Sequence, residues 1–211
     1  MLKAIFCTGE QDDLVRALQM FRKRVFVDQE RWALTVDRDR EVDDYDRRDT
    51  VYMALFDGDE ICATFRATRT DRPYLSADVF GHLATTEGYP HRHDAWEISR
   101  FAISSSHVTG LAQINYALML WWALQVDARS LVAVTELAHE RLLRSIGIAT
   151  RRYGRAGIVG WTVDGRPLRA VAGQIPVPQQ RGEVLARLFQ TLTDVEIVDA
   201  ADVFGCCRLS A

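Results

Sequence analysis

The segment AWEISRFAIS, residues 95–104, places two opposite charges inside an otherwise apolar run that is typical of a β-strand. Successive strand residues point to opposite faces of a sheet, so a regular strand would separate Glu97 from Arg100. A charged side chain in such a place is costly to desolvate unless it is paired. The fold must therefore either bulge at this strand or bring a partner to each charge from another segment.

Partners for these charges are available in three other segments of the chain. They are Arg22 on a predicted amphipathic helix, Asp43 and Asp46 in the acidic run EVDDYD, and Arg66 in the strand-like run ATFRAT. With Glu97 and Arg100 they give three arginines and three acids, which we predict converge in one network. Simpler explanations remain: a structural ion pair at 97 and 100, a solvated acidic loop, and arginines on a helix surface or snorkelling from a sheet edge.

Apolar periodicity and turn signals predict strands alternating with helices. In order, they predict a strand at 2–7, a helix at about 11–29, a long polar loop at 33–49, a hairpin turning at 57–59, an irregular stretch at 70–94, a strand at 96–103, a helix from about Thr109 to Asp127, a strand at 130–136, a helix at 137–146, a second hairpin turning at 164–165 and a last helix at 183–191. This order predicts one α/β domain over residues 1–211, with helices on both faces of a mixed sheet.

The bulk composition excludes several classes of function. The net charge is −3 and there is no basic stretch interleaved with aromatic residues, which argues against a nucleic-acid binder. No apolar run approaches the roughly 18 residues of a membrane span, so we expect a cytoplasmic protein. The four cysteines include no C-x-x-C, which favours reduced thiols and argues against a metal site.

Taken together, these segments resemble the acyl-homoserine-lactone synthases, the LuxI-type autoinducer synthases of bacterial quorum sensing. The family pattern is an arginine, a phenylalanine, a tryptophan, then D-x-x-D, a hairpin arginine and E-x-S-R-F. This chain matches it, in order, with Arg22, Phe26, Trp32, Asp43, Asp46, Arg66, Glu97, Ser99, Arg100 and Phe101. The resemblance covers roughly the first half of the chain. It implies a GNAT-like α/β fold, with a mixed, mostly antiparallel sheet and a V-shaped cleft between its central strands.

The resemblance also implies the reaction. The substrates are S-adenosylmethionine and an acyl thioester carried on acyl carrier protein or coenzyme A, and no separate cofactor is expected. The amine attacks the thioester, and the methionine carboxylate then displaces methylthioadenosine to close the lactone. An α-amino group has a pKa of roughly 8, so it needs a base, for which Glu97 is our candidate. Ser99 and Arg100 complete the catalytic edge, where backbone N–H groups after Arg100 are suited to an oxyanion. The alternative role for Arg100 is to hold a carboxylate or a carbonyl of the substrate.

The remaining matched residues are assigned to substrate binding. Phe26 and Trp32 offer an aromatic face to the sulfonium cation. Core packing explains Phe26 equally simply and explains Trp32 less well, because Trp32 stands between charged segments. Four charged members of this group either order the long loop as a lid or contact the amine and carboxylate of the ligand. They are Arg22, Asp43, Asp46 and Arg66, and Phe101 is the last residue assigned to the group.

The acyl chain is expected to lie against residues from the second half of the sheet and its helices. The predicted pocket residues are Ile98, Met119, Ala133, Thr135 and Ile148. Thr135 is either a donor to a substituent at the third carbon of the chain or an ordinary strand threonine. A basic stretch matches either an acidic carrier protein or a coenzyme A phosphate, or is a solvated face. Its residues are Arg141, Arg144, Arg151, Arg152 and Arg155.

Two other functions compete with this interpretation. A GNAT-type N-acyltransferase acting on another amine would share the fold and the thioester, but has no reason to combine Phe26, Trp32 and the two aspartates. A non-catalytic ligand-binding or sensor domain would show no turnover, whereas the glutamate and the charge set favour an enzyme.

Overall fold

A computed structural model describes residues 1–105 and 110–206. The described residues form the strands β1 (Leu2–Thr8), β2 (Val36–Asp37), β3 (Arg40–Glu41), β4 (Val51–Asp57), β5 (Glu60–Arg69), β6 (Ala95–Ile103), β7 (Ser130–Glu136), β8 (Arg151–Arg152), β9 (Gly157–Trp161), β10 (Pro167–Pro176) and β11 (Val195–Asp199). Their α-helices are α1 (Asp12–Arg22), α2 (Leu75–Val79), α3 (Leu111–Gln125), α4 (Leu137–Ile146), α5 (Gly182–Phe189) and α6 (Val203–Cys206). None of these helices is long and apolar enough to cross a membrane.

The large sheet has nine strands, in the order β11-β1-β4-β5-β6-β7-β10-β8, with β9 also paired to β10. The pairs β1–β11 and β6–β7 are parallel and the other pairs of this sheet are antiparallel. β2 and β3 form a separate small hairpin. The prediction of a mixed, mostly antiparallel sheet is therefore confirmed.

The alternation of strand side chains distributes the helices over both faces of the sheet. On β4, Met53 and Leu55 pack into the main core, which is built with α3, α4, α5 and α6. The residues between and beside them, Tyr52 and Ala54, face α1 in a second core. This second face also carries α2, whose neighbour Tyr74 packs against Val132 of β7. The two-faced arrangement predicted from the element order is confirmed.

The central strands β6 and β7 part soon after they meet. Their parallel pairing covers three residue pairs, from Ala95 with Ser130 to Glu97 with Val132. Beyond that point β6 stays paired with β5, and β7 continues beside β10. The residues that follow Glu97 on β6 therefore line one wall of the predicted V-shaped cleft.

Several local elements differ from the sequence prediction. The first helix continues after Arg22 as a π-helix over Lys23–Gln29, and the predicted loop at 33–49 contains the β2–β3 hairpin. The stretch predicted to be irregular contains α2, and β8 and β11 were not predicted. Elements this short have too few residues for a periodic pattern to emerge. Thr109, the predicted start of the third long helix, lies outside the described residues.

Candidate active site

A β-bulge lies where the two charges interrupt β6. One residue of β5, Phe65, lies opposite two residues of β6, Arg100 and Phe101, because the register shifts there. Arg100 has a φ of 51°, in the left-handed region that non-glycine residues rarely adopt. The extra residue places Arg100 on the same face as Ser99, the α1 face. Both solutions considered from the sequence are thus used, since the strand bulges and Glu97 and Arg100 have different partners.

Six charged side chains form a closed network on this face, which we call the charge ring. Its members are the arginines Arg22, Arg66 and Arg100 and the carboxylates Glu41, Asp43 and Asp46. Each carboxylate bridges a different pair of arginines, so positive and negative groups alternate around the ring. It joins α1, β3, the loop after β3, β5 and β6.

Glu41 and Asp46 bind Arg22 from two sides. Arg22 Nε donates to Glu41 Oε2 at 2.6 Å, and its Nη2 donates to Asp46 Oδ2 at 2.8 Å. Glu41 also accepts from Arg100, whose Nη2 lies 2.7 Å from Oε1. Arg22 and Glu41 are each 1% exposed, so this part of the ring is shielded from water.

Asp43 completes the ring between Arg66 and Arg100. Arg66 donates Nη1 to Asp43 Oδ1 at 2.5 Å, and Arg100 donates Nη2 to Asp43 Oδ2 at 2.6 Å. Arg66 also donates Nη1 to Asp46 Oδ1 at 3.1 Å and Nε to Ser99 Oγ at 3.0 Å. These contacts fix the place of Ser99, and they tie the acidic loop to both sheet strands.

The ring sets the ionisation of its members. Burial would raise the pKa of Asp46, but the hydrogen bonds and charge of Arg22 and the charge of Arg66 hold it well below its usual range. Burial likewise opposes ionisation of Asp43, and the arginines Arg66 and Arg100 outweigh it, so its pKa is also lowered. The guanidinium of Arg66 is fully buried, and the nearby Asp43 raises its pKa despite desolvation. All these groups stay charged at neutral pH.

Glu97 lies outside the charge ring, contrary to the sequence prediction. Its Oε1 accepts the backbone N–H of Ser76 at 2.5 Å, while Oε2 has no hydrogen-bond partner among the described residues. Burial raises the pKa of Glu97, although the Ser76 hydrogen bond and the charge of Arg66 oppose the shift. The prediction that Glu97 supplies the third acid of the network is wrong, because Glu41 fills that place.

The sequence contains one signal that points to the acidic run around Glu41 but does not single out that residue. Glu41 stands two residues before Asp43, at the start of the acidic run, and a short hairpin there buries it against Arg22. The predicted network contained three arginines and three acids. Without Glu97 it has three arginines and only two acids. Glu41 and Asp44 are the two remaining acids of the run EVDDYD, and the structure selects Glu41.

Phe26 and Trp32 stack at the end of the π-helix. Their ring centroids are 4.9 Å apart with an interplanar angle of 20°. The Trp32 backbone N–H donates to the Phe26 carbonyl at 2.8 Å, which closes the turn that brings the rings together. Trp32 also forms a β-bridge with Thr162, beyond β9. The paired rings line the cleft.

A cavity of about 390 Å³ passes between β6 and β7, and we call it the cleft cavity. Phe26 and Trp32 line it on the α1 face, together with Ser99 and Arg100. Four of the five residues predicted for the acyl pocket also line it: Ile98, Met119, Ala133 and Thr135. Ile148 instead packs in the main core and is not one of the described residues on the cavity wall.

Phe101 lies on the opposite face from the charge ring, although the sequence analysis grouped the two. Its ring stacks on Tyr116 of α3 at 4.4 Å and contacts the edge of His139 of α4 at 5.4 Å. All three rings line the cleft cavity. Tyr116 and His139 were not predicted, because neither belongs to a motif visible in the sequence.

The carboxylates of the charge ring are paired with arginines. Among the described residues there is no group of three or more His, Cys, Asp or Glu side chains arranged to hold a metal ion. In the predicted basic stretch, Arg151 pairs with Glu87 at 2.8 Å, and Arg152 pairs with Glu140. Arg141, Arg144 and Arg155 are exposed.

Several known proteins are similar to this chain in sequence or in fold. The acyl-homoserine-lactone synthase of Ralstonia nicotianae is 38% identical over 165 residues, covering 73% of this chain and 78% of that protein. The solved structure of TofI in a ternary complex with an inhibitor and MTA is 34% identical, with a TM-score of 0.73 over 87% of this chain and 96% of that chain.

A CoA-dependent acyl-homoserine lactone synthase, BjaI, solved with SAM and isopentyl-CoA, has a TM-score of 0.81 at 21% identity, covering 99% of this chain and 100% of that chain. This likeness confirms the GNAT-like fold. The family model described as autoinducer synthase matches residues 8–181. The chain belongs to the autoinducer synthase family.

Proposed function

We propose that this protein is an acyl-homoserine-lactone synthase. It transfers an acyl group from acyl carrier protein or coenzyme A to the amine of S-adenosylmethionine, and then closes the lactone with release of methylthioadenosine. The observation that carries the proposal is a buried glutamate, Glu97, with one carboxylate oxygen that has no partner among the described residues. Its neighbour Ile98 and its hydrogen-bond partner Ser76 line an apolar cavity that passes through a splayed sheet. The relatives with bound SAM, MTA and isopentyl-CoA support the same substrates.

Glu97 is the base in the acylation step. The substrate ammonium must lose a proton before it attacks the thioester, and the raised pKa of Glu97 brings the carboxylate closer to the pKa of an amine. Oε1 is held by Ser76, which leaves Oε2 to accept the proton, directly or through a water. The geometry of one fixed and one free oxygen suits a base that must keep its orientation.

The cleft edge of β6 supplies the oxyanion site. After Glu97 this edge no longer pairs with β7, so the backbone N–H groups that follow Arg100 adjoin the cavity. Donors held in place before the reaction stabilise the charge that develops on a thioester carbonyl. Arg100 is fixed by Glu41 and Asp43 and supports the bulge that shapes this edge.

The aromatic pair Phe26 and Trp32 binds the sulfonium of S-adenosylmethionine. The sulfonium is a cation without N–H donors, so an aromatic face is its natural neutral partner. The charge ring orders the acidic loop beside this pair. Its arginines are all engaged by carboxylates, which favours a structural role in the lid for Arg22 and Arg66.

The apolar side of the cleft cavity holds the acyl chain, with Ile98, Met119, Ala133 and Thr135 on its wall. The exposed Arg141, Arg144 and Arg155 offer positive charge to an acidic carrier protein or to the phosphates of coenzyme A. The chain works as one domain over residues 1–211, in the cytoplasm. It needs no cofactor besides these substrates.

The test is turnover by the purified protein. It is incubated with S-adenosylmethionine and a panel of acyl-coenzyme A and acyl-carrier-protein donors, and the products are separated by mass spectrometry. We expect methylthioadenosine and an acylated lactone with at least one donor, before and after dialysis against a chelator. Absence of methylthioadenosine with every donor would refute the proposal. An acylated amine without methylthioadenosine would indicate an N-acyltransferase.

A further inference from the structure

The α3–α4 side of the cleft cavity carries a pair of neutral polar side chains among apolar residues, and the ion-paired Glu140 of α4 also lies on this wall. Tyr116 Oη and His139 Nδ1 lie 2.8 Å apart, and the ring of Phe101 packs against both. The wall beside them includes Met119 and Leu143. A wall that only has to hold a hydrocarbon chain has no need of a phenol and an imidazole.

The pair is neutral and leaves one nitrogen uncommitted. Burial lowers the pKa of His139 and raises that of Tyr116, so neither group is charged at neutral pH. A neutral imidazole has one donor and one acceptor nitrogen. The bond with Tyr116 occupies Nδ1, and within the described part of the chain His139 makes no other hydrogen bond. Nε2 is therefore available to a ligand in the cavity.

The pair lies close to the reacting end of the acyl chain. Phe101, which contacts both rings, directly follows the bulge residue Arg100 on the strand that supplies the oxyanion site in the proposed function. A group bonded to Nε2 therefore lies near the thioester and not at the far end of the chain. Tyr116 fixes the imidazole, because its hydroxyl is bonded to the other ring nitrogen.

We propose that the Tyr116–His139 pair selects acyl donors that carry an oxo or hydroxyl oxygen close to the thioester. His139 Nε2 makes the hydrogen bond to that oxygen, and Tyr116 is a positioning residue for the ring. When Tyr116 donates to Nδ1, Nε2–H donates to either kind of oxygen. In the reverse tautomer Nε2 accepts from a hydroxyl. This inference rests on the proposed function.

An unsubstituted acyl chain fits the same cavity but leaves Nε2 without a partner. Sites built to hydrogen-bond a substrate group discriminate strongly against analogues that lack the group, because the buried polar atom is then unpaired. The pair therefore acts mainly by rejecting plain hydrocarbon chains. Thr135, on β7, is the other polar cavity residue to which such a role was assigned from the sequence.

The experiment compares octanoyl, 3-oxooctanoyl and 3-hydroxyoctanoyl thioesters on one carrier, with kcat/KM measured by release of methylthioadenosine. We expect the wild type to prefer an oxygenated donor by about tenfold or more, and His139→Leu to reduce that ratio by about tenfold. His139→Gln retains an amide donor and should keep part of the preference. Tyr116→Phe should also lower the ratio. His93→Leu, the same change at an exposed histidine, should leave the ratio unaltered.

The outcomes separate the two proposals. A wild type that releases methylthioadenosine without preferring an oxygenated donor would overturn the inference alone. So would an unchanged ratio in folded His139→Leu and His139→Gln, or a ratio lost in Thr135→Val but kept in both His139 variants. If no donor gives methylthioadenosine, the proposed function fails and the inference with it. Thermal unfolding of each variant identifies any loss that comes from misfolding.

Discussion

At the scale of single residues, Glu97 is a carboxylate kept apart from the guanidinium groups around it. Burial raises the pKa of Glu97 and the charge of Arg66 lowers it, but the hydrogen bond of Glu97 is to the backbone N–H of Ser76. Had it joined the charge ring, its pKa would have been driven down, as happens to Asp43 and Asp46. Separation from the arginines preserves its basicity.

Glu97→Gln tests this role. We expect the acylation rate to fall by about a hundredfold or more, since a general base is lost, while binding of S-adenosylmethionine changes little. Rate is measured by single-turnover kinetics and binding by calorimetry.

In the wild type the acylation rate should fall as the pH drops through the raised pKa of Glu97, because the protonated form of Glu97 is inactive. Glu183→Gln, at an exposed glutamate, is the control. Unchanged acylation in Glu97→Gln would remove the residue from this role.

Glu41 shows what sequence reasoning can miss in one residue. The motif residues of the ring were predicted from their types and spacing, but spacing alone does not show which acid of a dense acidic run becomes buried. That choice depends on the β2–β3 hairpin, which turns Glu41 towards Arg22 and Arg100. Five members of the charge ring were therefore predictable from the sequence. The sixth, Glu41, which closes the ring between Arg22 and Arg100, was not.

Glu41→Gln should destabilise the protein strongly. The variant removes the charge that bridges Arg22 and Arg100 and leaves two shielded guanidinium groups with fewer counter-charges. The expected loss in the free energy of unfolding is about 3–5 kcal/mol, as for other broken buried pairs. Urea denaturation measures it. Asp37→Asn breaks the exposed pair with Arg40 in the same hairpin and should cost less than about 1 kcal/mol. Equal losses in the two variants would contradict a special role for the ring.

At the scale of elements, residues 31–33 connect the aromatic pair to the far side of the cleft. The Ala33 N–H donates to the Trp161 carbonyl at 3.2 Å, and the Val163 N–H donates to the Arg31 carbonyl at 2.8 Å. With the Trp32–Thr162 bridge, this segment lies as a short extra strand beside β9. It holds Trp32 at the cavity.

Ala33→Pro should loosen this segment, because proline lacks the N–H that bonds to Trp161. We expect the KM for S-adenosylmethionine to rise by about fivefold, the equivalent of one hydrogen bond of roughly 1 kcal/mol. Ala33→Ser keeps the N–H and should behave as the wild type. Steady-state kinetics and hydrogen exchange at residues 161–163 provide the measurements. An unaltered KM in the proline variant would show that the segment does not position Trp32.

The long elements were predictable from the sequence, and the short ones were not. β5, β6, α3 and α4 each contain seven or more residues of clear periodicity or turn flanks, whereas β2, β3 and β8 have two residues each and owe their form to their neighbours. The bulge in β6 was considered but could not be chosen, because it depends on the partner strand β5. The parallel addition of β11 beside β1 is a long-range pairing that no local pattern specifies.

At the scale of the whole molecule, the charge ring couples stability to pH. Asp43 and Asp46 have lowered pKa values in the folded protein, so the folded state binds fewer protons than the unfolded state when the medium is acidic. Their stabilising contribution is present above the unfolded carboxyl pKa of about 3.9 and is lost as the pH falls towards the folded values. Glu97 has the opposite sign, because its raised pKa favours the folded state at lower pH.

Acid should therefore destabilise the protein by protonating the carboxylates of the charge ring. The lowered pKa values of Asp43 and Asp46 make the fold less stable in acid, and the raised pKa of Glu97 has the opposite effect. Because the first group has two members, we expect the free energy of unfolding, measured with urea, to fall between pH 5 and pH 3. Asp46→Asn should be less stable at pH 7, by about 2–3 kcal/mol, and should show a flatter pH dependence, because it has one fewer carboxylate to protonate. Asp71→Asn, which breaks an exposed pair with Arg69, should leave the slope unaltered. A slope as steep in Asp46→Asn as in the wild type would place the acid sensitivity outside the ring. A flattened slope would show that the charge ring sets the lower pH limit of the fold.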